Sequence, residues 1–237
     1  MKTALIVGVG PVNGLGAMLA IRFAALKLHV YVVGRTINKL NKVVKKIEST
    51  GDKATAVCID ATDEESVKNL FSSIKNLDLC IYNAGNATPG MIDDIDSDYF
   101  YNSWKVLCFG GFLFGKYASQ TFKKKKGGKL FFTGASASLR GAINFAAFNS
   151  GKGGLRNFAQ ALAKEYGPYG IHVANIIIDG PINGERIRKR NPSFAKNRGK
   201  KGLIDINGIV DCYIFLYNQP SNAQSFELDV RTSIEKW

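Results

Sequence analysis

The stretch Leu5–Gly16, LIVGVGPVNGLG, constrains the fold more than any other part of the chain. An apolar run from Ala4 to Val9 breaks into glycines and passes straight into an amphipathic segment, Ala17–Leu28. That order reads as strand, turn and helix start. A buried strand turning into a helix leaves unpaired N–H groups at the helix N-terminus, and with the positive end of the helix dipole they form a ready site for a phosphate. Glycines let the backbone approach such an anion with no Cβ in the way. A G-x-G-x-x-G count from Gly8 fails, because Asn13 stands in the third glycine's place; Gly10, Gly14 and Gly16 instead satisfy G-x-x-x-G-x-G. Taken alone, the stretch also fits a glycine-rich turn with no ligand.

Strand-like and helix-like segments alternate along the rest of the chain, which predicts an α/β fold: a doubly wound, mostly parallel seven-stranded sheet with helices on both faces. Strands are expected at His29–Val33, Ala54–Ile59, Leu77–Tyr82, Lys129–Thr133, Ile171–Ile178 and Ser225–Val230. Helices are expected at Ile37–Ser49, after Asp63-Glu64-Glu65, at Asp98–Phe122 and Phe145–Tyr166, and at Ile206–Tyr217. The basic segment Asn183–Gly202 has weak periodicity and reads as a mobile loop region. No repeat or second core interrupts the pattern, so residues 1–237 form one domain.

A net charge of +13, concentrated in Lys123–Lys126 and Arg186–Lys201, raises the possibility of a nucleic-acid partner. The basic residues are not interleaved with stacking aromatics, so a solvated lysine-rich surface and an anionic cofactor account for the charge better. The four cysteines, Cys58, Cys80, Cys108 and Cys212, are far apart with no C-x-x-C pair. Buried free thiols, a reducing, cytoplasmic setting and no metal follow as expectations. The apolar N-terminus reads as the first strand and not as a signal peptide, and no apolar run approaches bilayer-spanning length.

Further motifs fall in order on these elements: Asp60 after the third strand, Asn83-Ala84-Gly85 after the fourth, Lys152 in the second long helix, and the strand entry Gly170-Ile171-His172-Val173. Together with the glycine loop they resemble the short-chain dehydrogenase/reductase family over nearly the whole chain. The resemblance implies a Rossmann-like sheet with a nicotinamide dinucleotide across the carboxyl ends of the strands. It implies cofactor contacts from Gly10, Asn13, Gly14, Leu15 and Gly16 of the loop and from Asp60 and Ala61 at the adenine. Asn83, Ala84, Gly85, Lys152, Gly180 and Ile182 are implied along the rest of the dinucleotide. Asp60 also fits a helix cap, and the Asn-Ala-Gly sequence also fits a plain tight turn.

The residue ending the second strand chooses between cofactors. An NAD site places a carboxylate there for the ribose 2′-hydroxyl. This chain has Gly34 followed by Arg35, which leaves room for a 2′-phosphate and offers it a guanidinium, with Lys39 and Lys42 adding positive potential. NADP is therefore expected in preference to NAD, unless Arg35 is only a solvent-exposed strand-end residue.

In the resembling family a tyrosine phenol exchanges the proton during hydride transfer, and a lysine one helical turn later holds the nicotinamide ribose. Here the corresponding run is Phe148-Asn149-Ser150-Gly151-Lys152. The lysine is present, but phenylalanine has nothing that ionises. Ala135 stands at the family's serine and Leu107 at its asparagine, so the usual tetrad is degenerate. Asp179 and Ser136 are candidate replacements, Asp179 through a carboxyl raised by burial; it also fits a turn residue bonding its own backbone.

Two readings follow: an NADP-dependent oxidoreductase with a non-standard proton donor acting on a small carbonyl or alcohol compound, or a catalytically inactive NADP-binding subunit or sensor. A basic nucleic-acid-binding module is a weaker third. Small and aromatic residues on several faces of the two long helices (Gly110, Gly111, Gly115, Phe112, Phe114; Gly153, Gly154, Ala159, Ala163) predict a homodimer or homotetramer through them. Pocket walls are expected from about Asn86–Asp96 and Asn183–Gly202, and Trp237 is large enough to anchor the C-terminal tail.

Overall fold

The computed structural model describes residues 1–85 and 87–236, leaving aside the side chain of Lys200; the expectations for Asn86 and for Trp237 lie outside the described residues. The elements run β1 (Thr3–Val7), α1 (Leu15–Ala25), β2 (His29–Gly34), α2 (Ile37–Glu48), β3 (Ala54–Cys58), α3 (Glu64–Ser73) and β4 (Leu77–Tyr82). They continue α4 (Ser97–Trp104), α5 (Gly110–Lys124), β5 (Gly128–Ala135), α6 (Ala146–Tyr166), β6 (Ile171–Asp179), α7 (Glu185–Arg190), α8 (Pro192–Arg198), α9 (Ile206–Asn218) and β7 (Glu227–Arg231).

All seven strands pair in parallel, in the order β3-β2-β1-β4-β5-β6-β7. Every strand therefore presents its carboxyl end at the same edge of the sheet. The order reverses between β1 and β4, and α/β sheets bind ligands in the crevice that such a reversal opens.

Strand alternation builds two cores. Ala4 and Ile6 of β1 point to one face, where Phe23, Leu40, Val43, Ile209 and Tyr213 of α1, α2 and α9 cover them. Leu5 and Val7 point to the other, against Leu70, Phe114, Leu155 and Leu162 of α3, α5 and α6. Residues buried on both faces explain why β1 and β6 read as continuous apolar runs.

The long helix expected over Asp98–Phe122 is α4 and α5 joined by a π-helical turn, Lys105–Phe109. In that turn the Gly110 N–H bonds the Lys105 carbonyl, and the Tyr82 hydroxyl donates to the Val106 carbonyl at 2.5 Å.

Two sequence expectations need correction. The segment 183–202 is not irregular: it folds into α7 and α8, the second started by Pro192 at its first turn and capped by Asn191, which accepts from the Phe194 N–H. Cys58 is exposed at the end of β3, whereas Cys80 is buried. Three glycines of α5 face side chains within the chain. A Cβ on Gly110 would lie 2.2 Å from the Tyr82 hydroxyl, one on Gly111 2.4 Å from Leu155, and one on Gly115 2.7 Å from Phe158.

The sharpest close approach is at Gly8. Its φ is +85°, and a Cβ there would sit 2.5 Å from the Ala84 nitrogen. Gly10 is the opposite case, with nothing within 4 Å of such a Cβ. Gly8→Ala is expected to cost about 2–4 kcal/mol in urea unfolding, and Gly10→Ala to stay within about 0.5 kcal/mol of wild type.

Candidate active site

The floor of the crevice is a chain of polar contacts joining β1, β4, β5 and α6. Asn83, at the end of β4, donates through Nδ2 to the Gly8 carbonyl at 3.2 Å and accepts through Oδ1 from the Thr133 hydroxyl at 3.0 Å. Thr133 Oγ1 lies 2.6 Å from the Tyr213 hydroxyl, and the Thr133 carbonyl accepts from Lys152 Nζ at 2.6 Å. Asn83 thus pins two loops, so it is more than a turn former. Thr133 and Tyr213 carry no signal in the sequence, because each looks like one more residue in a largely apolar element.

Lys152 is buried on the inner side of α6. Its Nζ lies 5.9 Å from the Phe148 ring centroid, one helical turn back. Leu107 fills the space beside them: a Cβ on Gly151 would meet its Cβ at 2.6 Å, and one on Gly85 its Cδ2 at 3.2 Å. Phe148 and Leu107 put hydrocarbon beside the lysine. Burial alone lowers the lysine from 10.5 to about 8.

Asp179 overturns an expectation. Burial does act to raise its carboxyl, but hydrogen bonds from Ser136 and Arg140 and the charges of Arg140 and Arg231 outweigh it. Arg140 Nη2 reaches both carboxylate oxygens, at 3.1 and 3.0 Å, and Arg231 Nη1 lies at 3.6 Å. The group is held below the usual carboxylate range, so it is an ionised anchor at neutral pH and not a poised acid. Arg140, which the sequence left unmarked, sits in an irregular loop where no period reveals a side chain's partner.

On the nucleotide side, α1 begins at Leu15 with Gly14 as N-cap and no side-chain cap, which leaves its first-turn N–H groups to an outside acceptor. Gly16 packs so tightly that a Cβ would lie 2.7 Å from the Gly8 carbonyl. Gly34 is equally confined, with a Cβ 2.6 Å from the Val9 carbonyl. Arg35 is exposed. Asp60 accepts from the Thr62 N–H and hydroxyl, both at 2.8 Å, while Asp63 takes the N-cap position of α3. Burial works to raise Asp60, but those bonds and the charges of Arg35 and Lys105 hold it low. Ala61 adjoins it at the margin of the second core.

The start of α7 is tied to both loops of this groove. The Glu185 N–H at the start of α7 donates to the Asn13 carbonyl at 3.2 Å, and Arg186 Nη1 donates to the Gly85 carbonyl at 3.1 Å. Gly180, at φ +144°, leads into Ile182, which bridges to Ile204. Ala84 lies behind Gly8, so this turn and the glycine loop form one surface.

The family model for short chain dehydrogenases matches residues 2–192. The chain belongs to the short-chain dehydrogenase/reductase family. It is 31% identical over 193 residues to the uncharacterized oxidoreductase YuxG of Bacillus subtilis, a match spanning 78% of this chain and 28% of that protein's length. A solved short-chain dehydrogenase from Rhodopseudomonas palustris superimposes with a TM-score of 0.83 at 33% identity, covering 97% of this chain and 98% of the other. A metagenomic short-chain oxidoreductase solved in complex with NADP superimposes at 0.82, with 18% identity and 98% of each chain covered. This short-chain dehydrogenase/reductase thus has oxidoreductase relatives and the family's fold. Among the described residues no group of His, Cys, Asp and Glu has the arrangement to hold a metal, and no helix is long and apolar enough to cross a membrane.

The lysine makes the site's energetics testable. Below about pH 8 both folded and unfolded chains hold the Lys152 proton, and the folded chain bears the full cost of the buried charge, about 3 kcal/mol. Between that pH and 10.5 only the unfolded chain stays protonated, so this contribution to stability rises with pH. Lys152→Met is therefore expected to raise Tm at pH 7, with the gain fading to nothing by about pH 11. Thermal unfolding across that range checks it.

Proposed function

We propose that the chain is an oxidoreductase that uses NADP(H) in preference to NAD(H) on a small carbonyl or alcohol compound, with a proton source other than a phenol. The observation that carries the cofactor reading is the end of β2. A Cβ on Gly34 would strike the Val9 carbonyl at 2.6 Å, so this backbone has no place for the carboxylate an NAD site needs. The next residue offers a guanidinium in the open, beside the Asp60 carboxylate whose charge it already influences.

The other groups fit the same molecule. Gly10, open to the groove, and the uncapped N–H groups of Leu15 and Gly16 suit a pyrophosphate, with Asn13 and Gly14 shaping the turn. Asp60 and Ala61 would border the adenine; Asn83, Ala84, Gly85 and Lys152 would lie along the nicotinamide ribose; Gly180 and Ile182 would cover the ring. The bound cofactor supplies or accepts a hydride. The chain's own residues orient it, and α7 excludes water above it. Ser136 orders the Asp179 carboxylate and thereby the Arg140 loop beside the reacting end.

A specific observation favours a second reading, a catalytically silent NADP(H)-binding subunit: the space beside Lys152 is filled by Leu107, which is fully buried. For assembly, we propose a homodimer or homotetramer through α5 and α6. Trp104, Phe109, Phe112 and Phe158 form a continuous aromatic ladder there, with Phe112 38% exposed.

Calorimetric titration tests the cofactor reading. NADPH is expected to bind at least about tenfold tighter than NADH, and Arg35→Ala to erase most of that difference. Equal or tighter binding of NADH refutes the preference, and binding of neither refutes the function.

A further inference from the structure

Two segments at the carboxyl edge of the sheet hold apolar side chains out in water. Residues 88–95, after β4, carry Met91 and Ile92; residues 136–145, between β5 and α6, carry Leu139 and Ile143. All four are exposed, Ile143 at 89% and Ile92 at 66%. Single exposed apolar residues need no explanation, but a contiguous set of them marks a place where something docks.

The backbone makes the set contiguous. The Gly90 N–H donates to the Asn144 carbonyl at 2.8 Å, which joins the two segments where they carry Met91 and Ile143. Each segment is held at further points. The Tyr99 hydroxyl donates to the Thr88 carbonyl at 3.0 Å, and a Cβ on Gly90 would lie 2.8 Å from Ile95 Cγ2. Asn149 Nδ2 donates to the Ala142 carbonyl at 3.0 Å, and Arg140 is fixed on Asp179. The main chain is thus fastened with these side chains outward.

The patch continues inward to the candidate site. Phe145, two residues after Ile143, has its ring centroid 6.4 Å from that of Phe148, and the Phe148 centroid lies 5.9 Å from Lys152 Nζ. Both rings are only half-buried, so part of each is open to the cleft.

Charge decides what covers the patch. Asp93 and Asp94 directly follow Ile92 and are exposed. Those carboxylates repel an anionic bilayer, and a twofold contact through the patch would bring the same carboxylates of two copies together. An uncharged apolar molecule meets neither penalty.

We propose that the patch seats the substrate's tail: the chain takes an uncharged carbonyl compound bearing an alkyl chain. The carbonyl carbon lies at the nicotinamide, and the alkyl chain runs out along Phe148, Phe145, Ile143 and Ile92. This rests on the reading of the site as that of an NADP(H)-dependent oxidoreductase, and it names the substrate class. Each methylene that leaves water on this track strengthens binding about threefold.

Calorimetry on the full chain saturated with NADPH, titrated with 1-hexanol, 1-octanol and 1-decanol, tests the proposal. No turnover intervenes, because an alcohol and the reduced cofactor hold no hydride acceptor between them. Affinity is expected to rise about threefold per added methylene. Ile92→Ser/Ile143→Ser removes two exposed side chains and is expected to keep NADPH affinity within about twofold. The same variant is expected to cut the gain to less than about 1.5-fold per methylene. Phe215→Ser, which removes an equally exposed ring from α9, is expected to keep the wild-type gain.

A flat series in wild type, or a gain that the double variant leaves intact, overturns the proposal while NADPH binding stands. An equal loss in Phe215→Ser overturns it too, because the gain is then not local to the patch. Sedimentation in which the double variant splits a wild-type oligomer assigns the patch to a second copy instead. Binding of wild type to phosphatidylcholine vesicles, lost in the double variant, assigns it to a bilayer; either result overturns the proposal. Failure of the chain to bind NADPH at all removes the cofactor reading together with the substrate class, an outcome distinct from the others.

Discussion

The close approach of the β1–α1 loop to the turn after β4 is the constraint on which everything at the carboxyl edge depends. Two backbones meet there with no side chain between them. Gly8 has room for nothing but a hydrogen because Ala84 is behind it, and Gly16 for the same reason against the Gly8 carbonyl. Asn83 then ties the contact from β4 to β1 and to β5. Removing that contact would separate α1's N-terminus from Lys152, since the hydrogen-bond chain running through Thr133 is their shared support. The crevice at the strand reversal is therefore a rigid feature of the sheet and not a loose gap between loops.

Charge is distributed unevenly around that crevice. Asp179 lies beneath two guanidiniums and a hydroxyl, and its function is to hold the β5–α6 loop against β6 and β7. Lys152 has the reverse character: deep burial and, among the described residues, one carbonyl partner and no opposite charge. Both are buried ionisable groups in an otherwise apolar setting, yet their partners push them in opposite functional directions, one fixed in its charged form and the other close to its neutral one. Burial alone accounts for the lysine, whereas for Asp179 the guanidiniums and the hydroxyl overrule it.

The same contrast marks what the sequence made legible. Strand and helix placement and the glycine loop follow from local patterns, because strand alternation and helix period repeat within a few residues. The run Phe148–Lys152 was visible for the same reason, being one turn of one helix. The environment of Asp179 was not, because Arg140 and Arg231 reach it from 39 and 52 positions away in sequence (179 less 140, and 231 less 179). Segment 183–202 was misread because its two helices are each shorter than two full periods, too short for periodicity to register. Gly110, Gly111 and Gly115 of α5 face Tyr82, Leu155 and Phe158 within the chain, contacts between distant positions that no local pattern reveals.

A crystal structure of the chain grown with NADPH tests the central claim most directly. The account predicts the pyrophosphate on the first-turn amides of α1 beside Gly10, the 2′-phosphate on Arg35, and the nicotinamide ribose within hydrogen-bond reach of Lys152 Nζ. A dinucleotide bound anywhere else, or a crevice filled by α7 with no dinucleotide at saturating concentration, contradicts it.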